Sequence, residues 1–313
     1  MMKNETPNPL TTYEKALTNI ILHDDRYVLM TAENHSAIRN LPPLLKERFV
    51  DTGITEQGMI GAAAGLALRG RIPVVHGLAA FITMRGFEFI RTDVGLGNQP
   101  VKLVGTFSGF HSEANGATHQ ALEDVSLLRT IPNMKIVCPA DERDLEIALP
   151  VILQDESPCY IRFTDTKADI EHHPEFRFGE AETVTEGSDI TILTYGMLLN
   201  QAYQAQQVLE SRGISVRLLN MRSLKPVDER AILKAARETE MLVVLEDHFQ
   251  AGGLYSILCE VLVKNQMICE VMPYSLNNRW FKPGLLQDVL AYEKFAASDI
   301  VDTIFKRWLR DFC

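Results

Sequence analysis

The chain has 313 residues and a formal net charge of −10. That length fits one large or two medium domains, and the acidic balance argues against non-specific binding to nucleic acid or to an anionic membrane surface. No run reaches the roughly 18 apolar residues of a membrane span, and the N-terminal MMKNETPNPLTTYEKALTNII lacks the apolar core of a secretory signal. The five cysteines, Cys138, Cys159, Cys259, Cys269 and Cys313, are scattered and odd in number. They read as reduced thiols of a cytoplasmic protein, with no Cys/His spacing that suggests zinc.

Thr11–Leu22 has helical spacing, with Thr11 or Thr12 as its cap. Tyr27–Ala32 (YVLMTA) is expected to be a buried strand, followed by Glu33, Asn34 and His35 at the strand end where open α/β sheets gather ligands. The next stretch, Asp51–Gly70 (DTGITEQGMIGAAAGLALRG), leads a polar turn into a helix over Glu56–Leu68. Each glycine inside such a helix costs roughly 0.5–1 kcal/mol relative to alanine. Gly58, Gly61 and Gly65 therefore suggest that another backbone or a ligand lies close. Glu56 stands at the mouth of this helix, where capping rules read it as a carboxylate facing the positive end of the dipole.

Ile72–Leu78 is a second buried strand, and Phe81–Val94 reads as a helix with Phe81, Phe87 and Phe89 on it. Val101–Thr106 is a strand leading to Phe107–Gln120 (FSGFHSEANGATHQ), which is too long and chemically rich for a plain connector. A helix over Ala121–Arg129, a strand over Lys135–Cys138, a helix over Asp141–Ile152 and a strand over Pro158–Phe163 follow. Thr164–Ser188 is polar and carries the pair His172-His173, which lacks a third partner for a metal. The second unit alternates in the same way. Strands are expected over Asp189–Thr194, Ser215–Leu219, Met241–Leu245 and Ile268–Pro273, and helices over Leu198–Arg212, Glu229–Glu238, Leu254–Val263 and Ile300–Leu309. Glu246-Asp247-His248 and Gly252-Gly253 read as a turn with subunit contacts, and Arg279-Trp280-Phe281 as structural. This pattern predicts an α/β protein of two doubly wound, mostly parallel domains. The first is placed at 1–168, a linker at 169–188 and the second domain at 189–313.

No G-x-S-x-G elbow, P-loop or G-x-G-x-x-G fingerprint is present. Five blocks instead carry a resemblance: GITEQGMIGAAAGLAL, AFITMRGFEFIR and NGATHQALEDVSLLRTIPNMKIVCPAD, then SVRLLNMRSLKPVDERAIL and VVLEDHFQAGGLYSILCEVL. Together they resemble the C-terminal half of transketolase and, more closely, the separate small subunit of split transketolases. The resemblance implies a thiamine diphosphate pyrimidine-binding domain followed by a transketolase C-terminal domain. It implies that Glu56 is the acid hydrogen-bonded to N1′ of the aminopyrimidine, a role that asks for a buried carboxyl able to share a proton. Phe81 matches the aromatic that stacks on the pyrimidine, and Glu33 the acid that follows the first strand near the cofactor. His119, in G-A-T-H-Q, matches a substrate-facing histidine that can donate to a carbonyl oxygen or shuttle a proton. The family's G-D-G…N motif is missing. The cofactor's diphosphate and its divalent metal, Mg2+ or Ca2+, are thus expected on a partner, the N-terminal diphosphate-binding subunit, in an α2β2 heterotetramer. No metal ligand is expected in this chain.

Departures from the family pattern gather where substrate is expected. Phe107 and Asn115 stand where a His and an Asp are usual, with His111 in the same loop as a spatial substitute. Asp165 falls at the place of a phosphate-binding Arg, and Arg162, an odd three residues earlier, points to the other face of a strand. An acid there repels a phosphate dianion. The expected donor is therefore an unphosphorylated ketose, a 2-oxo acid such as pyruvate, or a larger modified sugar, from which a two-carbon ketol or acyl-type unit passes to an aldehyde. Two alternatives stay open: the beta subunit of a 2-oxoacid dehydrogenase or decarboxylase, and a non-catalytic assembly or regulatory subunit. The G-A-T-H-Q and S-L-K-P-V-D-E segments favour transketolase, and Glu56, Phe81 and His119 argue against a non-catalytic subunit.

Overall fold

A computed structural model describes residues 9–277 and 279–312; residues 1–8, Asn278 and Cys313 lie outside the described residues. Twelve strands form among the described residues: β1 (Tyr27–Thr31), β2 (Phe49–Asp51), β3 (Ile72–Leu78), β4 (Lys102–Thr106), β5 (Lys135–Val137), β6 (Cys159–Arg162), β7 (Glu182–Thr185), β8 (Ile190–Thr194), β9 (Val216–Asn220), β10 (Ser223–Lys225), β11 (Met241–Phe249) and β12 (Glu270–Leu276). The first sheet has the order β10-β5-β6-β4-β3-β1-β2 and the second β12-β11-β8-β9-β7. All these pairings are parallel except β10 on β5 and β7 on β9. Strands β1, β4, β6, β8 and β9 are buried at every position. Helices cover both faces of such sheets, which is why these strands read as unbroken apolar runs rather than alternating ones.

Three strands are absent from the sequence reading. β2, a parallel edge strand of three residues, is too short to show a period. β7 lies in the expected linker, and β10, from the connection after β9, adds an edge to the first sheet. Both are short, partly polar and antiparallel, so no periodic signal marks them. A further difference concerns Phe81–Val94. The chain forms a π-helical turn over Phe81–Arg85, a short α-helix over Phe87–Phe89 and a second π-helical turn over Ile90–Gly95. Gly86 explains the break: a Cβ there would lie 2.2 Å from Ile60 Cδ1 and 2.7 Å from the Ile82 carbonyl oxygen. Only glycine lets this segment press onto the Glu56–Leu68 helix.

The two halves share an apolar core in which Met30, Val75 and Leu103 belong to the same cluster as Leu193, Leu219 and Val244. A buried charge network also ties them. Arg162 Nε donates to Asp124 Oδ2 at 3.0 Å and its Nη1 to Asp247 Oδ1 at 2.5 Å. Tyr160 Oη donates to the same Asp124 oxygen at 2.7 Å. This corrects the reading of Glu246-Asp247-His248 as a turn. All three are fully buried in β11, and Asp247 contacts the first sheet of the same chain. Phe281 is buried against Phe110, in keeping with a structural role, whereas Trp280 is exposed. Cys138, Cys159, Cys259 and Cys269 are free thiols. None of the described helices is long and apolar enough to cross a membrane.

Candidate active site

The site lies at the C-terminal ends of the first sheet's parallel strands, where the topology leaves room for ligands. β2 ends at Asp51, whose Oδ1 accepts from the Gly53 and Glu33 N–H groups at 3.0 and 3.1 Å. Gly53 turns the chain at φ +67°, a conformation that favours glycine, and the helix starts at Glu56. Thr55 makes no side-chain cap. The Glu56 side chain is only 4% exposed, and its Oε2 accepts from Arg85 Nη1 at 2.9 Å. The Arg85 guanidinium in turn lies over the Phe81 ring, 4.3 Å from its centroid. The His119 ring meets the same Phe81 edge-on at 5.0 Å. Glu56, Arg85, Phe81 and His119 thus form one connected cluster. Glu33 is exposed at the end of β1, with a positive φ of 61°.

The loop after β4 links this cluster to a second feature. It is closed at its base by a parallel bridge between Ser108 and Ala121. Phe107 (φ +57°) and Glu113 (φ +45°) hold conformations that side chains rarely adopt. Such outliers gather at functional sites because the surrounding structure must hold them there. A cavity of about 160 Å³ is lined by Phe107, His111, Glu113 and Asp165 together with Ser36, Ala37, Thr106 and Phe163. Burial pushes the His111 imidazole below its ordinary pKa. Its Nε2 lies 3.3 Å from the hydroxyls of Thr164 and Thr166. The structure therefore brings Phe107, His111 and Asp165 together. It leaves Asn115 exposed outside the cavity lining, and Glu113 takes the place in the cavity.

Residues 10–169 match the transketolase pyrimidine-binding domain and residues 179–292 the transketolase C-terminal domain. The chain is 37% identical over 259 residues to the 6-deoxy-6-sulfo-D-fructose transketolase subunit SqwH of Clostridium sp. (strain MSTE9), covering 81% of this chain and 80% of the relative. The chain belongs to the transketolase family. One of the subunits of the apulose-4-phosphate transketolase of Phocaeicola vulgatus is 35% identical over 268 residues, covering 82% of this chain and 86% of the relative. A solved split-gene transketolase, described as an inactive β4 tetramer, superposes with a TM-score of 0.84 at 31% identity, covering 94% of this chain and 96% of its own. The chain corresponds to the C-terminal, small subunit of split transketolases, and the family implies dependence on thiamine diphosphate.

The donor set suits the pyrimidine half of that cofactor. It offers a buried carboxylate, an aromatic ring and, at Gly58, a helix surface where an added Cβ would meet only Thr55. It does not suit a divalent metal. Among the described residues Asp144, His172 and Glu182 form the one group with metal-ligand spacing. Both His172 ring nitrogens are engaged, Nδ1 with Glu182 and Nε2 with Asp141, each at 2.8 Å, and Arg222 pairs with Asp144 at 3.0 Å. An imidazole with both nitrogens donating has no lone pair to give.

The structure also corrects how Arg162 and Asp165 relate. β6 ends at Arg162, so Asp165 lies beyond the strand and the alternation of strand faces does not connect them. Arg162 is still unavailable to a substrate, because it is buried between Asp124 and Asp247. Of the three helix glycines, only Gly61 has a tight neighbour outside its own turn, Phe89 at 3.4 Å from an added Cβ. Arg85 and Glu113 escaped sequence reasoning. The signal for Arg85 was its spacing of four from Phe81 in a helical segment; Glu113 gave none, because a strained loop conformation leaves no periodic trace.

Proposed function

We propose that this chain is the small subunit of a thiamine-diphosphate-dependent split transketolase that moves a two-carbon unit from a ketose or 2-oxo acid donor to an aldehyde. In this reading, residues 1–168 are the pyrimidine-binding domain, 169–188 the linker and 189–313 the C-terminal domain. The chain acts only with an N-terminal, diphosphate-binding subunit that ligates Mg2+ or Ca2+, as a cytoplasmic α2β2 heterotetramer. The observation that carries the reading is the buried Glu56 carboxylate at a helix start, in one cluster with Phe81 and His119. Relatives that are transketolase subunits support transfer to an aldehyde over delivery to lipoamide.

Glu56 and Phe81 would hold the aminopyrimidine of the cofactor, which would supply nucleophilic carbon chemistry toward the donor carbonyl. Glu56 holds and moves the proton at N1′ of the aminopyrimidine, and its burial keeps water from competing for that proton. Phe81 offers a ring face, and such stacking contributes about 0.5–1.5 kcal/mol beyond buried area. His119 donates to the substrate oxygen as it gains charge. Glu33 stands at the cofactor side of β1. Glu56→Gln in the reconstituted pair should slow exchange of the C2 proton by at least about 100-fold. Exchange at the wild-type rate would point to a non-catalytic module.

The cavity lined by His111 and Asp165 sets the substrate class. It carries the carboxylates of Glu113 and Asp165 and the imidazole of His111, with no Lys or Arg in its lining. A phosphate entering it meets repulsion without compensation. The relatives named for 6-deoxy-6-sulfo-D-fructose and for apulose 4-phosphate support a modified sugar. Any anionic end of such a sugar then belongs against the partner subunit, and hydroxyl groups belong in this cavity. With the reconstituted pair, an unphosphorylated ketose should exceed xylulose 5-phosphate in kcat/KM by about tenfold or more, and Asp165→Arg should narrow the gap. Preference for xylulose 5-phosphate over the free ketose would overturn the substrate assignment.

A further inference from the structure

We propose that Arg85 is a built-in occupant of the aminopyrimidine site, which it fills while the cofactor is absent and leaves when the cofactor binds. The inference rests on the assignment of Glu56 and Phe81 to the cofactor. Those two residues are expected to offer a hydrogen bond and a stacking face to one planar, nitrogen-rich ring. In this chain a single guanidinium already takes both. Its Nη1 lies 2.9 Å from Glu56 Oε2, and its Cζ lies 4.3 Å from the Phe81 ring centroid. A guanidinium is planar, carries N–H donors along one edge and stacks on aromatic faces, so one side chain engages the carboxylate and the ring face together.

The surroundings explain why such an occupant forms and why it can depart. The Glu56 side chain is 4% exposed, and a buried carboxylate without a partner is costly. The Arg85 side chain is 41% exposed, so the cation reaches in from solvent and can return to it. Arg85 closes the π-helical turn just before Gly86, and this places it on the same side of the segment as Phe81. When a binding site is filled by the protein's own side chain for most of the time, apparent affinity falls by the fraction of time that the site is free. Removing the occupant should therefore speed cofactor capture.

The test uses the complete complex with the partner subunit, thiamine diphosphate with Mg2+ as the probe, and the circular dichroism of the bound cofactor as the readout. Arg85→Met should raise the association rate at least about fivefold and lower Kd by a similar factor. Arg85→Lys keeps the charge and loses the planar face, and should fall between it and wild type. It also decides the matter alone if the methionine variant does not fold. Association that is unchanged or slower in both variants, or weaker binding, would overturn the proposal and make Arg85 a positioning group of the loaded site. Failure of wild type and variants alike to bind the probe would remove the parent reading, and this proposal with it.

Discussion

His172 shows how one residue's chemistry follows from its neighbours. Burial, the largest influence on it, opposes protonation, yet the carboxylates of Asp141 and Glu182 prevail and raise its pKa from 6.5 to about 10. Glu182 moves the other way, to about 2: burial opposes that shift, and the hydrogen bond from His172 leads the groups that drive it. A folded-state pKa above the unfolded value adds stability that is complete below about 6.5 and is lost as pH rises through about 10. The unfolding temperature should therefore fall between those pH values, and His172→Gln should lower it at neutral pH and flatten the decline. Thermal melts across that range check both. The sequence showed His172 and His173 as adjacent and without a metal partner, but the two carboxylates that engage His172 come from positions 141 and 182 and were not legible. Glu56 is the opposite case: its motif named it, and the structure supplied the partner that the motif does not mention, Arg85.

At the scale of elements, the loop from Phe107 to Gln120 and the end of β6 depend on one another. Gly109 (φ +55°) passes so close to Asp247 that an added Cβ would lie 1.8 Å from Oδ2. The Phe110 N–H donates to that same oxygen at 3.1 Å. Arg162 neutralises Asp247 from the other side and Asp124 beside it. Arg162→Met would leave two buried carboxylates without their cation, which costs about 3–5 kcal/mol. Chemical denaturation should show that loss, and adding Asp124→Asn should recover part of it. The strands β1, β3, β4 and β6 were legible as apolar runs because a sheet buried on both faces demands them. β7 and β10 were not, because they owe their form to distant partners, β9 and β5, rather than to local pattern.

For the whole molecule, the outer face of the Glu56–Leu68 helix decides what assembly asks of it. An added Cβ at Gly65 meets nothing within 4 Å, and Leu68 on the same helix is 72% exposed. In the isolated subunit Gly65→Ala should raise the unfolding temperature, because a helical glycine costs about 0.5–1 kcal/mol and the methyl group has room. If this face meets the partner subunit, the same methyl group should weaken assembly, read by sedimentation with the diphosphate-binding subunit. Unimpaired assembly would place the interface elsewhere.

The order of residues carried the α/β class, the alternation of strand and helix in two successive units and the acid at position 56, because buried parallel strands and a glycine-rich helix start leave local marks. It carried the resemblance to split transketolases through motifs of fixed spacing. It did not carry the pairing of Glu56 with Arg85, the meeting of Glu113 and Asp165 around one cavity, or the commitment of Arg162 to Asp247. Each of those joins residues from separate elements, and their distances are set by packing rather than by any period along the chain. The stretch Asp51–Gly70 sits on both sides of that line. Its helix was legible from composition, while the occupant of its mouth became visible only when the π-helical turn at Phe81–Arg85 folded back over it.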